Sequence, residues 1–127
     1  MMKLKSVSGV TCYVRNVAKS TAFYESIGFN IKRKEPKRAT AYLNWFWIDL
    51  ISIRADSRPA YRTDEEIWMG CGPLVYISVD NVDEAYEELR AKGLKPASKP
   101  EDSPFGNREF ILRDPDKNKL VFFEELK

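Results

Sequence analysis

The stretch "VTCYVRNVAKSTAFYESIGF", residues 10 to 29, decides the fold because its pattern recurs without a gap in "VYISVDNVDEAYEELRAKGL", residues 75 to 94. Both copies begin with a valine, carry an Asn-Val pair at the same place and have a glycine as the last residue but one. In the second copy Val75, Ile77 and Val79 alternate with other residues, which is the pattern of a half-buried strand. The chain is therefore an internal duplication, and each copy opens with a strand.

The remainder of each copy predicts a helix. Asn81 is a favourable helix N-cap, and Glu84 stands at the reciprocal position of a capping box. Apolar residues then recur at i, i+3, i+4 and i+7, which is the spacing of one helical face. They are Val82, Ala85, Tyr86 and Leu89. Gly93 is suited to the left-handed residue that ends a helix.

Strand signals follow each of the two glycines. In the first half they cover residues 29–34 and then 40–54, which is long enough for two strands with a turn near Asn44. In the second half they cover residues 94–97, 107–113 and 119–125. A turn separates the last two strands, because Asp114-Pro115-Asp116 favours a tight turn and Lys117-Asn118 can supply a residue with positive φ.

Each half therefore reads as strand, helix, strand, strand, strand. We predict an α+β fold with two βαβββ repeats that form curved mixed sheets around a cup, with the helices on the outer faces. The chain of 127 residues forms one domain, with repeat one at about 5–55, a linker at 56–73 and repeat two at about 74–127.

The composition of the chain argues against two classes of function, nucleic-acid binding and membrane insertion. The net charge of +2 is too small to favour nucleic-acid binding, and we interpret the basic residues at 32–34 and 37–38 as a solvated strand end and turn. No apolar run is long enough to span a membrane, and the first residues lack the apolar stretch of a signal peptide. We therefore expect a cytoplasmic protein with no nucleic-acid or membrane partner.

The chain contains no histidine, the commonest metal ligand and general base. Cys12 and Cys71 have no CxxC or HxxH motif beside them, so buried thiols are expected rather than a disulfide or nucleophile. Catalytic triads and zinc sites are thereby disfavoured, and only an all-oxygen carboxylate site for a hard cation remains. We expect no cofactor and no metal.

The duplicated pattern, together with "VRNVAKSTAFYESIGF" at 14–29 and "GNREFILRDPDKN" at 106–118, resembles the vicinal oxygen chelate superfamily of glyoxalases, bleomycin resistance proteins and extradiol dioxygenases. The stretch from Pro104 to Asn118 is particularly similar to the metal-free bleomycin resistance type. In enzymes of the superfamily a metal sits in the cup. Carried over by motif, three ligand positions fall on Gly9, Leu74 and Val121, and a fourth falls near Ile51. None of these side chains can coordinate a metal.

The resemblance implies that the former ligand positions mark the cup face of each strand. Strand alternation then assigns further side chains to that face. The residues we expect to bind a ligand are Tyr13, Trp47, Asp49, Trp68, Tyr76, Phe105 and Phe123. Phe105 and Trp68 belong to this set as rim residues. The expected groove has several aromatic walls and few ionisable groups.

Three hypotheses follow. The first is a non-catalytic protein of the bleomycin-resistance type that sequesters an aromatic or extended organic ligand, an antibiotic among the candidates, as a homodimer. The second is a divalent-metal-dependent lyase or dioxygenase, as in other members of the superfamily. The third is a structural dimer without a small ligand, whose aromatic residues only pack. Bleomycin is cationic and this chain is slightly basic, so long-range attraction to that drug is not expected.

Overall fold

The computed structural model describes residues 2–55 and 72–127, and its chain divides into two compact units, Met1–Met69 and Gly70–Lys127. Within the described residues, each unit has one helix and one four-stranded sheet of mixed direction. The α+β class and the βαβββ order of both halves are confirmed. None of the helices in the described ranges combines the length and apolarity needed to cross a membrane.

The first unit has the sheet order β1-β4-β3-β2, in which β1 pairs with β4 in parallel and the other neighbours are antiparallel. Its elements in chain order are β1 Gly9–Val14, α1 Val17–Ser26, β2 Asn30–Glu35, β3 Arg38–Leu43 and β4 Phe46–Ser52. The predicted pair of strands around Asn44 is confirmed. Asn44 takes a φ of 54°, a left-handed conformation that asparagine tolerates well.

Helix α1 begins at an asparagine and ends before a glycine. The Asn16 side chain accepts a hydrogen bond from the Lys19 backbone N–H at 3.0 Å, and Gly28 follows the helix with a φ of 115°. Tyr24 is fully buried and meets the ring of Phe29 edge to face at 5.3 Å. The helix thus covers one face of the first sheet, where Ile48 and Leu50 are also fully buried.

The second unit repeats this order as β5-β8-β7-β6, again with one parallel pair between its first and last strands. Its elements are β5 Val75–Ser78, α2 Val82–Ala91, β6 Glu101–Asp102, β7 Asn107–Arg113 and β8 Lys119–Glu125. Its core lies between α2 and the sheet. The ring of Phe110 stacks on Phe122 with centroids 5.1 Å apart and meets Tyr86 edge to face at 5.4 Å.

The N-terminus of α2 is held by three side chains. Asn81 accepts from the Glu84 N–H at 3.0 Å, as its N-cap role predicts, and Glu124 of β8 accepts from the Val82 N–H at 2.9 Å. Arg108 of β7 donates to both oxygens of Asp83, at 3.1 and 3.0 Å. This bond to Arg108 holds the pKa of Asp83 below its ordinary value of 3.8. The helix is therefore tied to the sheet by directed polar bonds at its positive end.

The turn between β7 and β8 confirms the sequence prediction. One carboxylate oxygen of Asp114 accepts from the backbone N–H groups of Asp116 and Asn118, at 2.9 and 2.8 Å. Lys117 takes the left-handed conformation, with a φ of 70°. The local preference of aspartate for bonding its own backbone therefore sets this turn.

One predicted strand was wrong. Residues 94–97 form no strand, and the extra strand of the second sheet is the two-residue β6 at Glu101–Asp102. Pro96 and Pro100 cannot donate to a ladder, so this part of the chain cannot pair regularly with β7. Two hydrogen bonds join this part of the chain to Ile111 of β7. The Ala97 N–H donates to the Ile111 carbonyl at 2.7 Å, and the Ile111 N–H donates to the Ser98 hydroxyl.

Candidate functional site

Each sheet has a second face, opposite its helix, which we call the distal face. On the first sheet, the pairing register aligns the side chains of the distal face in rows across the strands. One row is Gly9, Trp47, Tyr42 and Asn30, the next is Thr11, Asp49, Thr40 and Lys32, and the third contains Tyr13, Ile51 and Arg38. Tyr13, Trp47 and Asp49, which the sequence selected, thus share one face.

Trp47 lies flat against the neighbouring strand. A Cβ atom added at Gly9 would overlap the six-membered ring of Trp47, so the indole occupies the space that any side chain at Gly9 would need. Trp47 is only half-buried, so part of its ring reaches solvent. The glycine at this position therefore has a packing role, which is to seat an aromatic ring on the sheet.

Asp49 is engaged on both of its oxygens. The hydroxyl of Thr40 donates to Oδ1 at 2.6 Å, and Arg38 Nη2 donates to Oδ2 at 2.6 Å. The Asp49 side chain is 9% exposed and that of Arg38 is 41% exposed. The carboxylate is thus enclosed by its partners, while the guanidinium remains partly at the surface.

The distal face of the second sheet carries an exposed aromatic pair. Tyr76 of β5 and Phe123 of β8 meet edge to face with centroids 5.6 Å apart, and Tyr76 is 50% exposed. Val121, which pairs with Tyr76 in the register, is fully buried. These two aromatic residues were selected from the sequence, and the structure brings them into contact.

The same face carries carboxylates. Glu109 stands directly opposite Phe123 in the register, and Glu101 stands opposite Glu109 on the edge strand. Glu125 lies on the same face two residues along β8. The prediction of few ionisable groups is therefore wrong on both faces, because Lys32, Arg38 and Asp49 lie on the first and these three glutamates lie on the second.

Phe105 is presented by an ordered turn at the edge of the second sheet. The Ser103 hydroxyl accepts from the Phe105 N–H at 3.2 Å, and the Gly106 carbonyl accepts from the Leu126 N–H at 2.9 Å. Gly106 has a φ of 94°, which a residue with a side chain rarely adopts. Phe105 is 90% exposed as a result. Trp68, the other expected rim residue, lies outside the described residues, as does Cys71.

Sequence reasoning missed Lys32, Arg38 and Tyr42. All three lie on the hairpin of β2 and β3, and the Nζ of Lys32 stands 4.8 Å from the centroid of the Tyr42 ring. A signal for Arg38 and Tyr42 was present, because once the turn at Asn44 is located the register places Tyr42 opposite Trp47. Alternation along β3 then assigns Arg38 to the same face.

A cavity of about 450 Å³ lies on the other side of the first unit, between α1 and the turn after β2. Its lining includes Val17, Thr21 and Pro36, and the exposed pair of Glu25 and Lys34 spans 3.4 Å beside it. None of the selected residues that the structure describes contributes to it. Among the described residues, no three carboxylate or thiol side chains group closely enough to hold a metal ion.

Two units of the order βαβββ, each with a distal face that carries aromatic and charged side chains, define a class of small α+β proteins. The sequence model of the Glyoxalase/Bleomycin resistance protein/Dioxygenase superfamily matches residues 6–122. The chain therefore belongs to this superfamily, as the sequence motifs indicated.

Individual relatives agree with this assignment. A bleomycin resistance protein of Geobacillus stearothermophilus is 26% identical over 122 residues, which cover 90% of this chain and 92% of the relative. A glyoxalase/bleomycin resistance protein/dioxygenase from Nocardioides has a TM-score of 0.79 at 19% identity and covers 100% of this chain and 87% of its own. A lactoylglutathione lyase from Agrobacterium tumefaciens has a TM-score of 0.75 at 19% identity, covering 96% and 95%. The two solved structures establish likeness of fold alone.

Proposed function

We propose that this protein binds a small organic molecule without transforming it, as a sequestering protein of the bleomycin-resistance type. The observation that carries the proposal is the contact of Tyr76 with Phe123 on the distal face of the second sheet. An aromatic residue that is 50% exposed on a sheet contributes little to folding, but it offers a ready surface for a planar or extended ligand.

The geometry of these rings favours binding. Phe123 is held in a strand between ladder partners on both sides, so it loses little freedom when a ligand stacks on it. A suitable ring contact contributes about 0.5–1.5 kcal/mol beyond burial. A few such contacts, together with burial of the ligand, are enough for an affinity near 1 μM, which corresponds to about −8 kcal/mol. Phe105 supplies a further exposed ring near the edge of the same sheet.

The charge beside the aromatic pair indicates which aromatic ligands fit. Glu109 is half-buried opposite Phe123, and Glu101 lies next to it on β6. Carboxylates beside ring faces attract a ligand that combines an aromatic system with a positive charge. Arg113 and Lys119 lie on the same face at the other end of β7 and β8, so the negative charge is local to the glutamates beside the aromatic pair.

The absence of catalysis is proposed from the side chains at the positions implied by the family motifs. Gly9, Leu74 and Val121 have no atom that binds a metal, and no histidine elsewhere in the chain can replace them. Gly9 instead makes room for the Trp47 ring, and Val121 is a fully buried apolar side chain on the distal face of the second sheet. The metal-dependent lyase or dioxygenase is the alternative, and it requires a divalent ion for activity.

The test is calorimetric titration with metal-free and copper-loaded bleomycin, using tryptophan fluorescence as a second signal. We expect saturable binding at one drug per chain, weakened about tenfold or more in Tyr76→Ala and retained in Tyr76→Phe, which keeps the ring. Sedimentation at the same concentrations reports the proposed homodimer. If neither form of bleomycin binds at about 1 mM, a panel of planar cationic, neutral and anionic compounds follows.

The panel decides between the hypotheses. Binding of any planar compound that depends on the Tyr76 ring supports sequestration. Turnover of a thiol-conjugate or catechol substrate that requires added divalent metal would overturn the non-catalytic proposal. A protein that binds no compound of the panel and remains dimeric would leave the structural dimer as the correct hypothesis.

A further inference from the structure

The two distal faces differ in their charged side chains, and those on the first face favour a different kind of ligand. Besides Tyr13, its rings are those of Trp47 and Tyr42, which are direct partners in the ladder of β3 and β4. The indole of Trp47 lies over Gly9, so a flat apolar surface extends from β1 towards β3. A planar group can stack there much as it would on the second sheet.

The charge that this face shows to solvent is positive. Lys32 is exposed, with its Nζ 4.8 Å from the centroid of the Tyr42 ring. Its ammonium group has no carboxylate within salt-bridge distance among the residues that the structure describes. A bound anion near Tyr42 would therefore find a cation that is already in place and not committed to another charge.

The ion pair of Arg38 and Asp49, in the neighbouring rows, adds to the positive charge that this face shows to solvent. Arg38 and Asp49 together are neutral, but the side chain of Arg38 is 41% exposed and that of Asp49 only 9%. The Thr40 hydroxyl occupies the second carboxylate oxygen of Asp49. The negative partner is thus shielded and bonded, whereas the positive partner contributes its field to the surface. Glu35 pairs with Arg38 in the register. Its Oε2 lies 4.0 Å from Arg33 Nε, so this carboxylate also has a cation beside it.

Resting on the small-molecule binding proposed above, we propose that the distal face of the first sheet binds a planar aromatic group that carries a carboxylate. The aromatic system stacks on Trp47 and Tyr42, and the carboxylate pairs with Lys32 and, through the field of its guanidinium, with Arg38. Asp49 is a positioning residue in this arrangement, since it holds Arg38 without touching the ligand. This selectivity is opposite in sign to that of the carboxylate-rich second face.

The test compares 2-naphthoate with 2-naphthamide, which differ in charge and hardly in shape. In calorimetric titrations at low ionic strength we expect the acid to bind about fivefold more tightly than the amide. The higher affinity of the acid should diminish as salt is raised to 1 M, where the Debye screening length is about 3 Å. Calorimetry sums the heat from all binding sites. We therefore also expect a fitted stoichiometry of one compound per chain, which indicates a single site.

Matched variants locate the effect. Lys32→Gln should remove most of the preference for the acid. Lys34→Gln removes the same charge from the same strand but on the side of α1, where Lys34 pairs with Glu25 at 3.4 Å, and it should leave the preference unchanged. Trp47→Phe should weaken both compounds, whereas Trp45→Phe, at a residue that is 66% exposed in the turn before β4, should weaken neither.

The outcomes separate this inference from the proposed function. Equal affinity for acid and amide, or equal losses in Lys32→Gln and Lys34→Gln, would overturn the anionic ligand while planar binding stands. No binding of either naphthyl compound, with binding of another planar compound that depends on Tyr76, would overturn it in the same way. No binding of any planar compound of any charge would overturn both proposals.

Discussion

The distal faces of the two sheets are built on the same backbone plan and differ in chemistry. On the first sheet the ion pair of Arg38 and Asp49 shields its carboxylate and leaves its guanidinium partly exposed. On the second sheet Glu101 and Glu109 stand opposite one another beside the aromatic pair. Duplication thus repeats the strands and caps, whereas the side chains on the distal faces vary independently. Charge on each face comes largely from strands that follow the repeated stretch.

The two helices differ in the charged side chains at their N-termini. The first turn of α1 contains no acidic residue, and the side chain of its N-cap Asn16 accepts a hydrogen bond from the start of the helix. The first turn of α2 contains Asp83 and Glu84, and β7 and β8 supply Arg108 and Glu124 to the same end. Acidic side chains at a helix N-terminus are favoured by the helix dipole. The second helix is thus the more strongly anchored by charge.

The largest expected effect contrasts the helix-covered face with the distal face of the second sheet. Phe110→Ala should lower the free energy of unfolding by about 3–5 kcal/mol, because its ring is 1% exposed between Phe122 and Tyr86. Tyr76→Ala, at a ring that is 50% exposed, should lower it by only about 1 kcal/mol. Urea denaturation followed by circular dichroism measures both. Comparable losses would show that Tyr76 belongs to the core and would weaken the case for a binding face.

The second effect tests the seat of Trp47 on the first face. Gly9→Ala places a methyl group where the indole ring lies, so the free energy of unfolding should fall by about 1–3 kcal/mol and Trp47 should change its fluorescence. Gly72→Ala is the control, because an added Cβ there has no neighbour within 4 Å. If the two alanine variants are equally stable, the ring does not depend on the glycine and the flat surface is misassigned.

The smallest effect concerns the charged anchor of α2. The pKa of Asp83 is held below 3.8 by its hydrogen bond from Arg108, so this carboxylate stabilises the fold above that pH. The contribution is lost as the pH falls through the lowered pKa, where the folded state must take up the proton. NMR titration should give a midpoint below 3.8 in the wild type and a higher one in Arg108→Gln. An identical midpoint in both proteins would mean that the bond does not persist in solution.

Much of the fold could be predicted from the sequence because its signals are local. The caps Asn16 and Asn81 and the turn at Asp114 act on backbone groups within a few residues, and each forms as predicted. The strand predicted at residues 94–97 does not form, because Pro96 cannot join a ladder. Alternation along β8 puts Phe123 on the face of Val121, and the observed register pairs Val121 with Tyr76, so the two aromatic residues share a face as predicted.

The sequence by itself determined the duplication, the order of elements and the membership of the superfamily, because periodicity, capping and glycine positions depend on short-range geometry. Only the tertiary structure decided how exposed each charge is and which side chains of neighbouring strands each ring packs against. Arg38 and Asp49 lie on different strands, and their pairing follows from the ladder between β3 and β4. The charge that each distal face offers to a ligand is therefore a property of the packed sheet, because burial and pairing both require residues distant in sequence to meet.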